Sequence, residues 1–186
     1  MKLIYLGSIS ISSGHRVDLL PDILMQVREQ LPETKLHIYG AGDDVEKLKK
    51  MFVVRNLETA VHWHGRFSSP LEGEVSRILR DGGVVVDPVD ASISNRAKSS
   101  FRCMLAGKFG CPVVTSNIGI RPYLFPQEFH DRFFARAESA ADYAEKVVTC
   151  IKNPLTIEEK MRLQKHNEQF SWLQLATKYA KLLGDE

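Results

Sequence analysis

The sequence predicts an α/β domain, a parallel β-sheet with helices on both faces. Short β-rich apolar runs alternate with longer segments whose apolar residues recur at helical spacing. Single helices and short loops separate successive strands, the pattern of parallel βαβ units. One run, GVVVDP (83–88), is apolar without alternation, as a strand covered on both faces requires.

The elements follow in order. KLIYLG (2–7) is a strand ending at glycine. Over 17–31, Leu20, Leu24, Val27 and Leu31 fall on one helix face, and Pro21 sits near the start, where a missing N–H is tolerated. KLHIYG (35–40) is the second strand and 43–52 the next helix. AVHWHG (60–65) is the third strand, followed by a helix over 71–81. The fourth strand leads to a helix over roughly 98–109 and the strand PVVTS (112–116). RFFAR (132–136) is a last short strand. Over 139–153, Ala141, Ala144, Val148 and Ile151 share a face. The tail from Ile157 to Leu183 is helical with a break near 170–176, where Ser171 is a candidate N-cap. With no internal repeat or linker, residues 1–186 form a single domain.

Composition narrows the function. The 44% hydrophobic fraction suits a globular core, and the net charge of +2 carries no polyanion signature, so nucleic acid is not an expected partner. No apolar run approaches the roughly 20 residues of a membrane span. Residues 1–7 have a signal-like look but lack a small-residue cleavage site and read as a strand. Cys103, Cys111 and Cys150 are odd in number and form no CxxC. That favours a reducing compartment, the cytoplasm, and argues against disulfides or structural zinc.

In a parallel sheet, ligands bind beyond the carboxyl ends of the strands. After the first strand, GSISISSGHR (7–16) offers Gly7, Ser8, Gly14, His15 and Arg16. Its glycines permit close backbone approach, and free amides with Arg16 suit an anion; a polar surface loop is the other reading. GAGDD (40–44) fails as a dinucleotide fingerprint because Val45 stands where a third glycine is needed, so Gly40 and Gly42 read as a tight turn before an Asp cap. In HWHGRF (62–67), His62 and His64 share a side of the strand without a third ligand nearby, so no metal is expected. Gly65 and Arg66 at its exit, and Gly40 at the end of the neighbouring strand, could meet a base or sugar, or Arg66 is an ordinary loop arginine. DPVDASISNRAKSSFR (87–102) is the most informative segment. Asp87 and Asp90 could take sugar hydroxyls, while Lys98, Ser99, Ser100 and Arg102 at a helix start suit a diphosphate. A helix with ordinary surface charges is the competing reading.

The stretches YLGSIS, LPETKLHIYGAGDDVEKL, VHWHGRF, VVVDPVD, AGKFGCPVVTSNIG and FSWLQLATKYAKLL, in this order, resemble the C-terminal half of a GT-B-fold glycosyltransferase of group 1 (family 4). The resemblance implies a Rossmann-like domain that binds a nucleotide-sugar donor. It implies retaining hexose transfer to a glycan or lipid acceptor, without a cofactor. It also implies a separate N-terminal acceptor domain, absent from this chain, or a partner chain supplying it, and allows peripheral membrane association of the full enzyme. An isolated donor domain is then expected to be inactive, and no catalytic residue is assigned.

The sequence departs from the family at telling positions. Ser8 stands for the usual arginine, and His15-Arg16, or Ser13-Gly14 on a different gapping, replaces a Lys-Gly pair. Ala97 and Leu105 occupy the positions of the paired glutamates. Losing such a charged hydrogen bond costs about 1.5–3 kcal/mol. Hence an alternative, a non-catalytic GT-B domain serving as a binding or partner-interaction module. A third reading, an epimerase of the same architecture, would turn His15, His62 and His64 toward the sugar.

Overall fold

The computed structural model describes residues 1–67 and 72–184. Six parallel strands form one sheet in the order β3-β2-β1-β4-β5-β6. They are β1 (Lys2–Leu6), β2 (Lys35–Tyr39), β3 (Val61–Gly65), β4 (Val84–Asp87), β5 (Val113–Ser116) and β6 (Phe134–Ala135). The α-helices are α1 (Leu20–Gln30), α2 (Val45–Val54), α3 (Gly73–Arg80), α4 (Ile93–Ala97), α5 (Phe101–Phe109), α6 (His130–Phe133), α7 (Ala140–Lys152), α8 (Ile157–Glu168) and α9 (Trp172–Leu183). Leu71, the first residue of the helix expected over 71–81, lies outside the described residues.

The sheet is the Rossmann-like α/β arrangement that the alternation of elements predicts. Its strand order reverses between β1 and β4, so right-handed crossovers carry the helices to opposite faces. α1 packs against α7, while α5 packs against α3 and α8. The central strands are buried on both sides: all of β4 and β5, and Leu3 to Leu6 of β1. Each such Val, Leu or Ile contributes about 1.5–3 kcal/mol by leaving water.

Two of the boundary shifts have a clear local cause. The helix placed from 98 starts at Phe101, because Lys98 adopts an extended conformation (φ −93°, ψ 148°) that ends α4. Ser100 then caps α5, its Oγ accepting from the Cys103 amide at 3.2 Å. The strand expected over 132–136 shrinks to Phe134–Ala135, since residues 130–133 make a helical turn first. The tail breaks where foreseen, with Ser171 accepting from the Gln174 amide to cap α9.

Candidate functional site

Three loops meet at the carboxyl edge around the reversal point. The Ile9 amide donates to Ala41 O at 3.0 Å, and the Ile11 amide to Asp44 Oδ2 at 2.7 Å, joining the β1 and β2 exits. Across the reversal point, Arg16 N donates to Pro88 O at 3.0 Å and Asp90 N to Gly14 O at 3.1 Å. Asn95 Nδ2 reinforces this seam, donating to Gly14 O at 3.0 Å and Asp90 Oδ1 at 2.7 Å. Glycine is required here by contact: a Cβ on Gly40 would stand 1.8 Å from Gly7 O, and one on Gly14 (φ +78°) 2.5 Å from Asn95 Nδ2.

Beneath the crevice lies a buried polar hub centred on Asp87, the last residue of β4. Its Oδ1 accepts from Arg102 Nε at 2.5 Å. Its Oδ2 accepts from Ser100 Oγ at 2.8 Å, Thr115 Oγ1 at 3.0 Å and Arg121 Nε at 3.1 Å. Burial pushes the Asp87 carboxyl up, but Arg102 and Arg121 outweigh it and hold the group far below the usual carboxylate range. Arg102 spends its other donors on the β1 end: Nη1 reaches Tyr5 Oη at 3.1 Å and Leu6 O at 2.9 Å, and Nη2 reaches His15 Nδ1 at 2.8 Å. Gly7 makes room for this reach, since a Cβ there would meet Arg102 Nη1 at 2.8 Å.

Asp87 is 0% exposed, Ser100 4% and Arg102 7%, with their polar atoms committed to one another. The sequence expectation that they touch sugar or diphosphate is therefore corrected: they form the floor under the site. The reason is local. The β4 end points into the layer where α5 packs, so its carboxylate is neutralised by that helix's own start. Arg16 is also taken, pairing with Asp18 at 2.9 Å and Glu138 at 3.0 Å. Gly40 serves loop packing, which leaves no open backbone there to meet a base or sugar.

The remaining residues face outward. Ser8 and Ser99 are exposed, and Lys98 is half-buried beside His15. Among the described residues the Lys98 ammonium has neither an ion pair nor a hydrogen bond. Burial, then the charges of Arg102 and Lys98, lower His15 to about 4, so its imidazole is neutral at physiological pH. Asp90 keeps one carboxylate oxygen in the seam and borders Gly14. Gly65 has φ +71°, a Cβ added there would meet nothing within 4 Å, and Arg66 beside it is exposed. At the Leu105 position the side chain is 3% exposed and belongs to the apolar core, whereas Ala97 is exposed.

Sequence reasoning missed Arg121, Thr115, Tyr5 and Tyr143, which complete the hub; Tyr143 Oη donates to Asp87 O at 3.2 Å. No spacing signals them, because they come from four separate elements. His62 and His64 stack with His37 and Tyr39 at the β2/β3 edge, and His64 Nδ1 pairs with Glu74 at 3.1 Å. Among the described residues no group of three His, Cys, Asp or Glu side chains converges on a metal position. A hollow of about 420 Å³ lined by Lys2, Phe109, Cys111, Cys150 and Leu155 lies at the opposite, amino edge of the strands. Burial pushes its Cys111 thiol up to about 12 and Cys150 to about 11, so neither is a nucleophile. The carboxyl edge, with the Lys98 ammonium and a neutral imidazole, is the better candidate.

Over 171 residues the chain is 25% identical to the poly(ribitol-phosphate) α-N-acetylglucosaminyltransferase of Staphylococcus aureus (strain COL), covering 91% of this chain and 33% of that one. The chain thus spans about a third of the length of that curated relative. Its fold is similar to Anabaena HepE solved with UDP-glucose (TM-score 0.79, 16% identity, 100% of this chain and 49% of that chain). It is also similar to the pneumococcal O-GlcNAc transferase GtfA solved with UDP and GlcNAc (TM-score 0.75, 17% identity, 98% and 35%). Among the described residues no helix is long and apolar enough to cross a membrane. The model of the family described as glycosyl transferases group 1 matches residues 1–153, and the chain belongs to that family.

Proposed function

We propose that this chain is the C-terminal, donor-binding half of a glycosyltransferase that uses a nucleoside diphosphate sugar. The observation that carries the reading is the Lys98 ammonium, unpaired among the described residues, beside neutral His15 at the reversal point of the sheet. A diphosphate held there meets that cation, a directed imidazole and the amide-rich loop after β1. Transfer proceeds with retention and without a metal, and this half stabilises the leaving diphosphate electrostatically. Gly65 and Arg66 border the base, and Asp90 the sugar. A uridine nucleotide is favoured, because HepE and GtfA were solved with UDP or UDP-glucose.

An acceptor-binding half, on a longer chain or a partner, completes the enzyme, so the isolated chain is inactive. The three buried free thiols are in keeping with a cytoplasmic setting.

Calorimetric titration with UDP, GDP, ADP and dTDP, each without metal, tests the reading. Micromolar binding of UDP, lost with uridine, is expected. No binding by any of the four would turn the assignment toward a non-catalytic module.

A further inference from the structure

Arg102 cannot accept a hydrogen bond, so its Nη2 contact with His15 Nδ1 at 2.8 Å has one direction: the guanidinium donates and Nδ1 accepts. A neutral imidazole accepting at Nδ1 carries its proton on Nε2. That Nε2 has no partner among the described residues, and the ring is half-exposed. Arg102 itself cannot turn away. Its Nε is held by Asp87, its Nη1 by Tyr5 and Leu6, and its guanidinium carbon lies 5.0 Å over the Tyr5 ring.

We infer that Arg102, braced by Asp87, is a positioning residue that fixes His15 as a one-way donor, presenting Nε2–H to a phosphate or sugar oxygen of the donor substrate. The second half of this statement rests on the donor-site reading; the first half does not. A proton arriving at Nδ1 would have to break the Arg102 contact and would stand among Arg102, Lys98 and Arg121, with Asp87 as the opposing charge nearby. The site therefore gains a directed hydrogen bond at this position without gaining a further positive charge. Lys98 supplies the charge and His15 the direction.

The test uses the full chain with ¹⁵N-labelled histidine and long-range ¹H–¹⁵N correlation, His15 being identified by the signal lost in His15→Phe. The expected result is a single Nε2–H tautomer at neutral pH, with a titration midpoint near 4 instead of the ordinary 6.5. In Arg102→Gln the midpoint moves up and Nδ1–H becomes populated. Wild-type His15 titrating near about 6.5, or protonated at Nδ1, overturns the inference, and this holds even if Arg102→Gln does not fold.

Addition of UDP provides the second arm. It should shift the Nε2 signal more than Nδ1, and His15→Phe should weaken UDP by roughly tenfold or more, the loss of a hydrogen bond to a charged group. A fixed Nε2–H tautomer with no response to UDP supports the Arg102 relay and overturns its role toward the diphosphate. UDP binding with the opposite tautomer overturns the relay and leaves the donor site standing.

Discussion

Arg102 Nε lies 2.5 Å from Asp87 Oδ1, and both side chains are withdrawn from solvent. This contact ties the start of α5 to the end of β4, directly under the loop that follows β1. A second guanidinium, Arg121, shares the same carboxylate at 3.1 Å. One buried negative charge thus holds two positive ones. Asp87→Asn keeps the shape and removes the charge, leaving both arginines uncompensated. Breaking a buried pair in this way costs about 3–5 kcal/mol. Urea unfolding should show a much earlier midpoint for the variant; an unshifted midpoint would remove the hub from the account of stability.

Lys98 should behave in the opposite manner, contributing to binding and not to folding. Its ammonium engages no protein group among the described residues, so Lys98→Ala leaves the thermal midpoint nearly unchanged. If it holds a diphosphate oxygen, its loss costs about 1.5–3 kcal/mol of affinity, roughly ten- to a hundredfold. Arg102 is a poor companion in such a test, because its removal also undoes the floor of the site. Calorimetry with UDP on Lys98→Ala alone decides the matter, and unchanged affinity would exclude Lys98 as a diphosphate ligand.

Gly40 offers a steric test of the loop arrangement. Any side chain there begins with a Cβ 1.8 Å from Gly7 O, a backbone atom that cannot rotate away. Gly40→Ala must push the β1 and β2 exits apart, a change of the kind that costs about 1–3 kcal/mol. The variant should fold with reduced stability and lose nucleotide affinity, since Gly7 and the loop beyond it move. Wild-type stability together with wild-type UDP affinity would contradict the close approach.

Acid sensitivity follows from two histidines held neutral. Burial, followed by Arg102 and Lys98, lowers His15 to about 4; burial, followed by His62 and His64, lowers His37 to about 4. In the unfolded chain each titrates near about 6.5. Between these values the unfolded state binds more protons, so stability falls as pH drops from about 6.5 to about 4. Above that window both states are neutral at these positions and the contribution is constant. Thermal midpoints across the window should decline in the wild type and decline less steeply in His37→Gln. Equal slopes in the two proteins would assign the acid loss to other groups.

Much of this architecture was legible in the sequence, and the reasons are physical. Short β-branched apolar runs such as Val84 to Val86 favour strands covered on both faces, and their alternation with helical periods points to the parallel topology. The start of α5 was less legible. Arg102, Cys103, Leu105, Ala106 and Gly107 are all buried, so the helix has no clear polar stripe to mark its limits. The hub was not legible at all. Asp87 draws on Arg102 and Arg121, 15 and 34 residues further on, and Arg102 reaches back 97 residues to Tyr5. Residue type alone made Asp87 and Arg102 look like ligands, because a buried ion pair and a binding site use the same chemistry. Only their mutual distance separates the two roles.

The terminal helix α9 supplies the last prediction. None of its residues is buried, and Trp172, Leu182 and Leu183 are 88%, 81% and 79% exposed. Ser171 caps it well, so the helix forms, yet most of its large apolar side chains stay exposed. Large apolar residues clustered on a surface mark an interaction face. Alone in solution the chain should therefore self-associate as concentration rises. Trp172→Glu with Leu182→Glu should suppress that association while changing stability by no more than about 0.5 kcal/mol, since neither side chain packs against the core. Sedimentation velocity over a concentration series is the measurement. A wild-type chain that stays monomeric throughout would show that this face is not adhesive, and a double variant that unfolds would show that α9 is part of the core.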